Sequence, residues 1–154
     1  WPERPGPNYA GSPLMYLSEV LGRLRGHVAP CDGRYKLALS TEFVLSDMGP
    51  FPCGYLFMPR ESAEANELVN AVCQRVKFAF SILTVAQDYG DLVGEGNAAT
   101  VDAVRLAVRG ALLGWQPAPE AAICEFGGAA LVYAKDGVLV WRDDFFTQYH
   151  LRSV

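Results

Sequence analysis

Between Asn97 and Leu113 the apolar residues fall on a helical repeat. Val101, Val104, Val108, Ala111 and Leu112 recur at spacings of three and four, and Leu106 and Leu113 widen the stripe. The spacing predicts a helix with one apolar face. Asn97 or Thr100 is the expected N-cap, and Asp102 falls in or near the first turn, where a negative charge suits the helix dipole. Gly114 is placed to close the helix, and Pro117 forbids its continuation. Leu14, Leu17, Val20, Leu21 and Leu24 make a second stripe, started by Ser12-Pro13 and stopped at Gly26.

Other stretches carry a period of two. From Gln74 to Ala86, Val76, Phe78, Phe80, Ile82 and Thr84 face one way, and Lys77, Ala79, Ser81, Leu83 and Val85 the other. The second half is apolar on both faces, as in a central strand covered on both sides. Cys53 to Met58 reads as a short strand closed by Pro59. Ala122–Phe126, Leu131–Ala134 and Val138–Trp141 are further β-prone runs, with Gly127-Gly128 and Asp136-Gly137 between them. Asp-Gly is a pair that a type I′ hairpin turn prefers. The last strand alternates Phe145, Thr147, Tyr149 and Leu151 against Phe146, Gln148, His150 and Arg152.

Two stretches stay open on pattern alone. Arg34 to Met48 alternates like a strand but fits a helix equally well. Arg60 to Asn70 is polar and rich in Ala and Glu, and its propensity allows a helix. The residues before Leu14, with four prolines and two glycines, read as an arm over residues 1–13, and 14–154 as one domain. The predicted order is helix, helix or strand, strand, strand, helix and four strands. A mostly antiparallel or mixed β-sheet packed with two or three α-helices, an α+β fold, is the natural layering.

Composition narrows the function. At 154 residues, 51% hydrophobic and 19% charged, the chain has material for a real core and is not of disordered type. A net charge of −4 without a basic run argues against a dedicated nucleic-acid binder. No apolar run is long enough to span a bilayer, and no signal-peptide pattern opens the sequence.

Candidate chemistry is thin. Cys31, Cys53, Cys73 and Cys124 make no Cys-x-x-Cys pair, and His27 and His150 lie far from them in sequence. Buried, reduced thiols are the expectation, not a zinc site. Gly94-Glu95-Gly96-Asn97 precedes a helix but lacks a phosphate-loop pattern, so a loop with an N-cap is expected. Asp143-Asp144 with Glu125 suggests a magnesium site, yet adjacent aspartates on a strand point to opposite faces. Neither histidine sits in a nucleophile motif. No catalytic residue, cofactor or metal is expected, and Trp115 and Trp141 read as core or interface anchors.

A family resemblance adds to this reading. Arg109-Gly110-Ala111-Leu112-Leu113-Gly114-Trp115-Gln116-Pro117, then Glu125-Phe126-Gly127-Gly128, Val140-Trp141 and Phe145 through Arg152 resemble the C-terminal half of bacteriophage tail terminator proteins of Mu-like and related long-tailed phages. Gly54-Tyr55-Leu56-Phe57-Met58-Pro59, Gln74-Arg75-Val76 and Phe80–Val85 fit the same family in the same order, and the N-terminal third departs most. The resemblance implies an α+β fold, a short helix within Arg34–Met48, and a connection over Arg60–Asn70 that reaches from the body as a hairpin.

It also implies a structural virion protein and no enzyme. Such a subunit assembles as a ring, typically a hexamer, on the last ring of tail tube protein at the head-proximal end of the tail. There it stops tube growth and meets the neck or head–tail connector protein. It needs no membrane and no sequence-specific nucleic-acid contact. Polarity and position between elements select three expected contact segments: Arg60, Glu61, Glu64 and Asn66; Asp88, Asp91, Glu95 and Asn97; and Arg142, Asp143 and Asp144, the last three as interfacial charges or a solvated turn. The alternatives are another neck or head-completion protein, a small enzyme, and a host-directed binding module.

Overall fold

The computed structural model describes residues 13–47, 49–88, 90 and 95–153. Helix α1 (Pro13–His27) leads through a 3₁₀ turn (Ala29–Cys31) to β1 (Tyr35–Ala38) and α2 (Thr41–Asp47). β2 (Cys53–Ala63), β3 (Val72–Gln87), α3 (Glu95–Leu112), β4 (Glu125–Lys135) and β5 (Val138–Ser153) follow. The five strands form one sheet in the order β1-β2-β3-β5-β4. β1 runs parallel to β2 and every other pairing is antiparallel. The α+β expectation therefore holds, as a mixed sheet. The expected arm lies outside the described residues apart from Pro13, which opens α1.

The ambiguity at Arg34–Met48 resolves into both readings, a short strand and then a short helix. A parallel neighbour cannot be reached by a tight turn, so α2 lies on the crossover from β1 to β2. The Cys53 strand does not stop at Pro59. It runs to Ala63 across a register shift between Phe57 and Arg60, with Met58 at φ 48°. A bulge lets a residue without an N–H leave the ladder while the strand goes on. The four C-terminal runs are likewise two long strands. Gly127-Gly128 marks a bulge in β4 and not a break, and β5 carries Arg142–Asp144 in its middle. Asp136 and Gly137 turn the hairpin at φ 55° and 75°, the positive values that a type I′ turn requires.

β3 is the central strand, and its two predicted faces meet two cores. Val76, Phe78, Phe80 and Ile82 pack under α1 and α3 with Tyr16, Val20, Leu24, Val104, Val108, Leu112, Phe145 and Tyr149. Leu83 and Val85 face the other side with Ala38, Val44, Tyr55 and Val140. On the helix side an aromatic chain runs across the sheet: Tyr149, Tyr16, Phe78, Phe80, Phe145 and Phe126 make successive ring contacts of 5.7–6.1 Å between centroids. Such pairs add to the area they bury.

The helices differ from expectation in detail. α1 runs past Gly26 to His27, and α3 begins at Glu95, so Glu95 and not Asp102 is the acidic residue of its first turn. Asn97 and Thr100 lie inside α3 and are not its cap. The Val101–Leu112 stripe is buried, but Leu106 and Leu113 are exposed on the outer side of α3. Gly114, at φ 78°, closes the helix as expected.

Gly54 has no room for a side chain: a Cβ there would stand 2.1 Å from Cε1 of Tyr35, which is fully buried. Gly54→Ala is expected to cost about 1–3 kcal/mol by overpacking. Gly22 is exposed within α1 with nothing within 4 Å of such a Cβ, and Gly22→Ala is expected to add about 0.5–1 kcal/mol. Urea unfolding of the two variants checks both signs.

Candidate interaction surfaces

The three expected contact segments come to different ends. The first is a true hairpin arm. Beyond the body, β2 and β3 continue together, and residues 64–71 connect them. Arg60 donates to the Met58 carbonyl at 2.9 Å. Glu61 accepts a short hydrogen bond from the Tyr149 hydroxyl, which ties the arm to β5. Glu64 lies 4.0 Å from Arg75, and its carbonyl accepts from Gln74 at 3.1 Å.

Asn66 organises the tip. Its Nδ2 donates to the carbonyls of Leu68 (2.7 Å) and Ala71 (2.8 Å), and its Oδ1 accepts from the amides of Leu68 (3.3 Å) and Cys73 (2.7 Å). One side chain thus satisfies four backbone groups, the local bonding that makes Asn a turn residue. What the tip presents is apolar: Leu68 is half exposed and Val69 is 96% exposed.

The second segment sits at the opposite end of β3. The Asp88 amide and Asn97 Nδ2 both donate to the Gly137 carbonyl, at 2.9 and 2.8 Å. Asp88 Oδ1 accepts from the Gly90 amide at 2.9 Å. Asn97 is buried and joins α3 to the β4–β5 turn, so it is no surface residue. Glu95 is exposed, and Asp91 and Gly94 lie outside the described residues. A cleft of about 410 Å³ opens at this end, lined by Phe51, Pro52, Gln87, Asp88, Asn97 and Thr100 among others.

The third segment is neither a loop nor a solvated turn. Asp143 is 1% exposed. It accepts from Arg105 Nε at 3.1 Å and from Arg105 Nη2 at 3.0 Å, with Arg109 4.0 Å away. Arg105 also lies 4.8 Å over the Trp141 ring, and Arg109 4.5 Å over Phe126. Asp144 points to the other face, as adjacent strand residues must. There it accepts from the Ser81 hydroxyl at 2.5 Å and pairs with Arg142 at 3.3 Å. These charges hold α3 to the sheet and β5 to β3. The signal was the parity of the last strand: Phe145, Thr147 and Tyr149 are the inward set, and one step back on that parity is Asp143.

The remaining chemistry is sparse. Cys31, Cys53 and Cys124 are buried and Cys73 is half-buried, all as free thiols. Burial pushes the Cys124 thiol up to about 12 and raises those of Cys31 and Cys53, which keeps them protonated and inert. Among the described residues no group of three or more His, Cys, Asp or Glu side chains is placed to hold a metal. Among them, too, no helix is long and apolar enough to cross a membrane.

The model of the family described as phage tail terminator protein matches residues 15–153. No curated protein matches by sequence. Among solved structures, a chain from the virion of a native gene transfer agent (GTA) particle shares the fold with a TM-score of 0.51 at 16% identity, over 87% of this chain and 92% of that one.

Two outcomes are expected. Asp143→Ala leaves Arg105 without its buried partner and costs about 2–4 kcal/mol, whereas Arg105→Met with Asp143→Leu recovers most of it; chemical denaturation of the set measures both. Asn66→Ala frees the amides of Leu68 and Cys73, and hydrogen exchange is expected to speed at those two positions while the β3–β5 core stays protected.

Proposed function

The chain belongs to the phage tail terminator family, and from that premise we propose that it closes the head-proximal end of the tail tube as a ring, a hexamer. It is a structural protein of the phage tail, carried in the virion. On the proposed reading it assembles in the bacterial host cytoplasm, touches the last ring of tube protein on one side and meets the neck or head–tail connector on the other. Its action is binding, not catalysis.

The observation that carries the reading is the placement of the two surface segments at opposite ends of one stiff strand pair. The hairpin arm, with Leu68 and Val69 at its tip, leaves one end of β3; the Asp88 segment, the β4–β5 turn and the cleft lie at the other. β3 has 16 residues, which puts these ends roughly 50 Å apart. A terminator must face two unlike partners at once, and a subunit with two unlike ends joined by a rigid ladder suits that demand. The tube-facing end acts by occupying the surface where the next tube ring would add, and the other end is left to the neck or connector.

Purified protein added to polymerising tube protein is expected to fix tube length at amounts far below one copy per tube subunit. Electron microscopy of the products gives the length distribution, and cryo-electron microscopy of particles gives the position of the ring. Tubes that lengthen unchecked in its presence, or a ring seated on the connector without touching tube, overturn the reading. The second result favours a neck or head-completion role instead.

A further inference from the structure

β4 and β1 are the two edges of the sheet. From Gly127 to Ala134, β4 carries no charge and no proline, and among the described residues it pairs with β5 alone, on one side. Soluble proteins guard an edge of that length with lysines, prolines or a covering element, because its free N–H and C=O groups are a template for another chain. Next to this edge stand exposed Ile123, Phe126 and Leu131. Leu106, Arg109 and Leu113 form one row along the outer side of α3, spaced at three and four. Arg109 lies over Phe126, and Leu113 bridges to Cys124 beside Ile123, so helix row and strand edge make one apolar flank with a cation in its middle. Leu106 is 75% exposed.

The opposite edge carries a matching set. β1 carries exposed Leu37 one residue before its end and, just beyond the strand, Leu39, which is 83% exposed. Phe43 of α2 is also exposed and sits next to Glu42, an exposed carboxylate in the first turn of that helix. One flank thus carries an arginine over an aromatic ring, and the other an exposed carboxylate next in sequence to an exposed phenylalanine. The two lie at opposite sides of one sheet and cannot meet within a chain.

We propose that the β4–α3 flank of one copy packs against the β1–α2 flank of a second copy of this chain, bringing Arg109 to Glu42. The proposal rests on the ring reading above and names the surfaces that close the ring. Contact between unlike flanks is heterologous, so it repeats from copy to copy and closes when the rotation permits, whereas a patch that pairs with itself stops at a dimer.

The test uses two variants changed only at exposed positions, with melting curves checked against the parent chain. One carries Leu106→Glu and Leu131→Glu; the other carries Leu39→Glu and Phe43→Glu, so that the two altered flanks repel each other in the mixture. Native mass spectrometry is run on the protein alone and on protein added to purified tail tubes. Each variant alone is expected to be monomeric where the parent forms a ring, and an equal mixture is expected to form a dimer and nothing larger, because one good flank of each kind remains. As a second measurement, a Leu131→Cys chain mixed with a Leu39→Cys chain is treated with a bismaleimide, and a 1:1 crosslinked product above the background from Cys73 is expected.

Variants that assemble like the parent, a variant that dimerises with itself, or a parent chain that self-associates neither alone nor on tubes overturn the flank pairing. Rings that form through these flanks but bind no tube overturn the capping function and leave the pairing standing. Tubes capped by the variants as well as by the parent do the reverse.

Discussion

The structure depends on the pairing of β3 with β5. The register runs unbroken from Val72 opposite Ser153 to Gln87 opposite Val138. β3 is also the strand whose two faces meet two separate cores. Because side chains alternate, a slip of one residue would turn Phe78 and Phe80 out of the helix-side core and put Lys77 into it. The register is therefore held by burial on both faces. Everything else is placed relative to it: α1 and α3 lie on one face, the arm extends one end, and the β4–β5 turn with Asn97 closes the other.

Much of this was legible in the sequence, and the reasons are local. β3 was readable because its alternation is strict and its second half is apolar on both faces. The α3 stripe and the Asp136-Gly137 turn were readable because each obeys a short-range rule. What failed was punctuation. Pro59, Gly127-Gly128 and Arg142–Asp144 looked like ends of strands, but two are bulges and the third is mid-strand. A bulge and a turn use the same residues, and only tertiary pairing separates them. Asp143 was misplaced for a related reason: a carboxylate reads as surface until its partner is known, and Arg105 lies 38 positions away. Leu106 and Leu113 erred in the opposite direction, as apolar residues on a helix whose core-facing stripe was already complete.

Of the contact segments expected from polarity, the arm and the Asp88 end remain surfaces, while Asp143 is consumed inside the fold. Polarity was a poor guide to contact because polar residues are the ordinary content of a solvated surface. The residues that stand out are apolar ones exposed among the described residues: Val69 at the arm tip, Leu39 at the β1 edge, and Leu106 with Leu131 at the β4 edge. They divide the molecule into two ends and two flanks. That division suits the ring subunit proposed above, which needs ends for its axial partners and flanks for its own kind.

The charges inside the fold then have a part in keeping the flanks in shape. A buried ion pair is weak evidence for stability, since apolar residues of like volume would hold α3 to the sheet as firmly. An apolar contact, however, tolerates sliding along the helix axis. The guanidinium fork of Arg105 on the Asp143 carboxylate accepts one geometry, and the Trp141 ring backs it from the side. Arg105 sits next to Leu106 and one turn from Arg109, so fixing it fixes the row that lies along β4. A ring closes only if each copy adds the same rotation as the last, and a flank built from two elements adds a constant rotation only if those elements cannot shift against each other. In the proposed ring, the pair joining α3 to β5 is the constraint that holds the flank at the place where it is assembled.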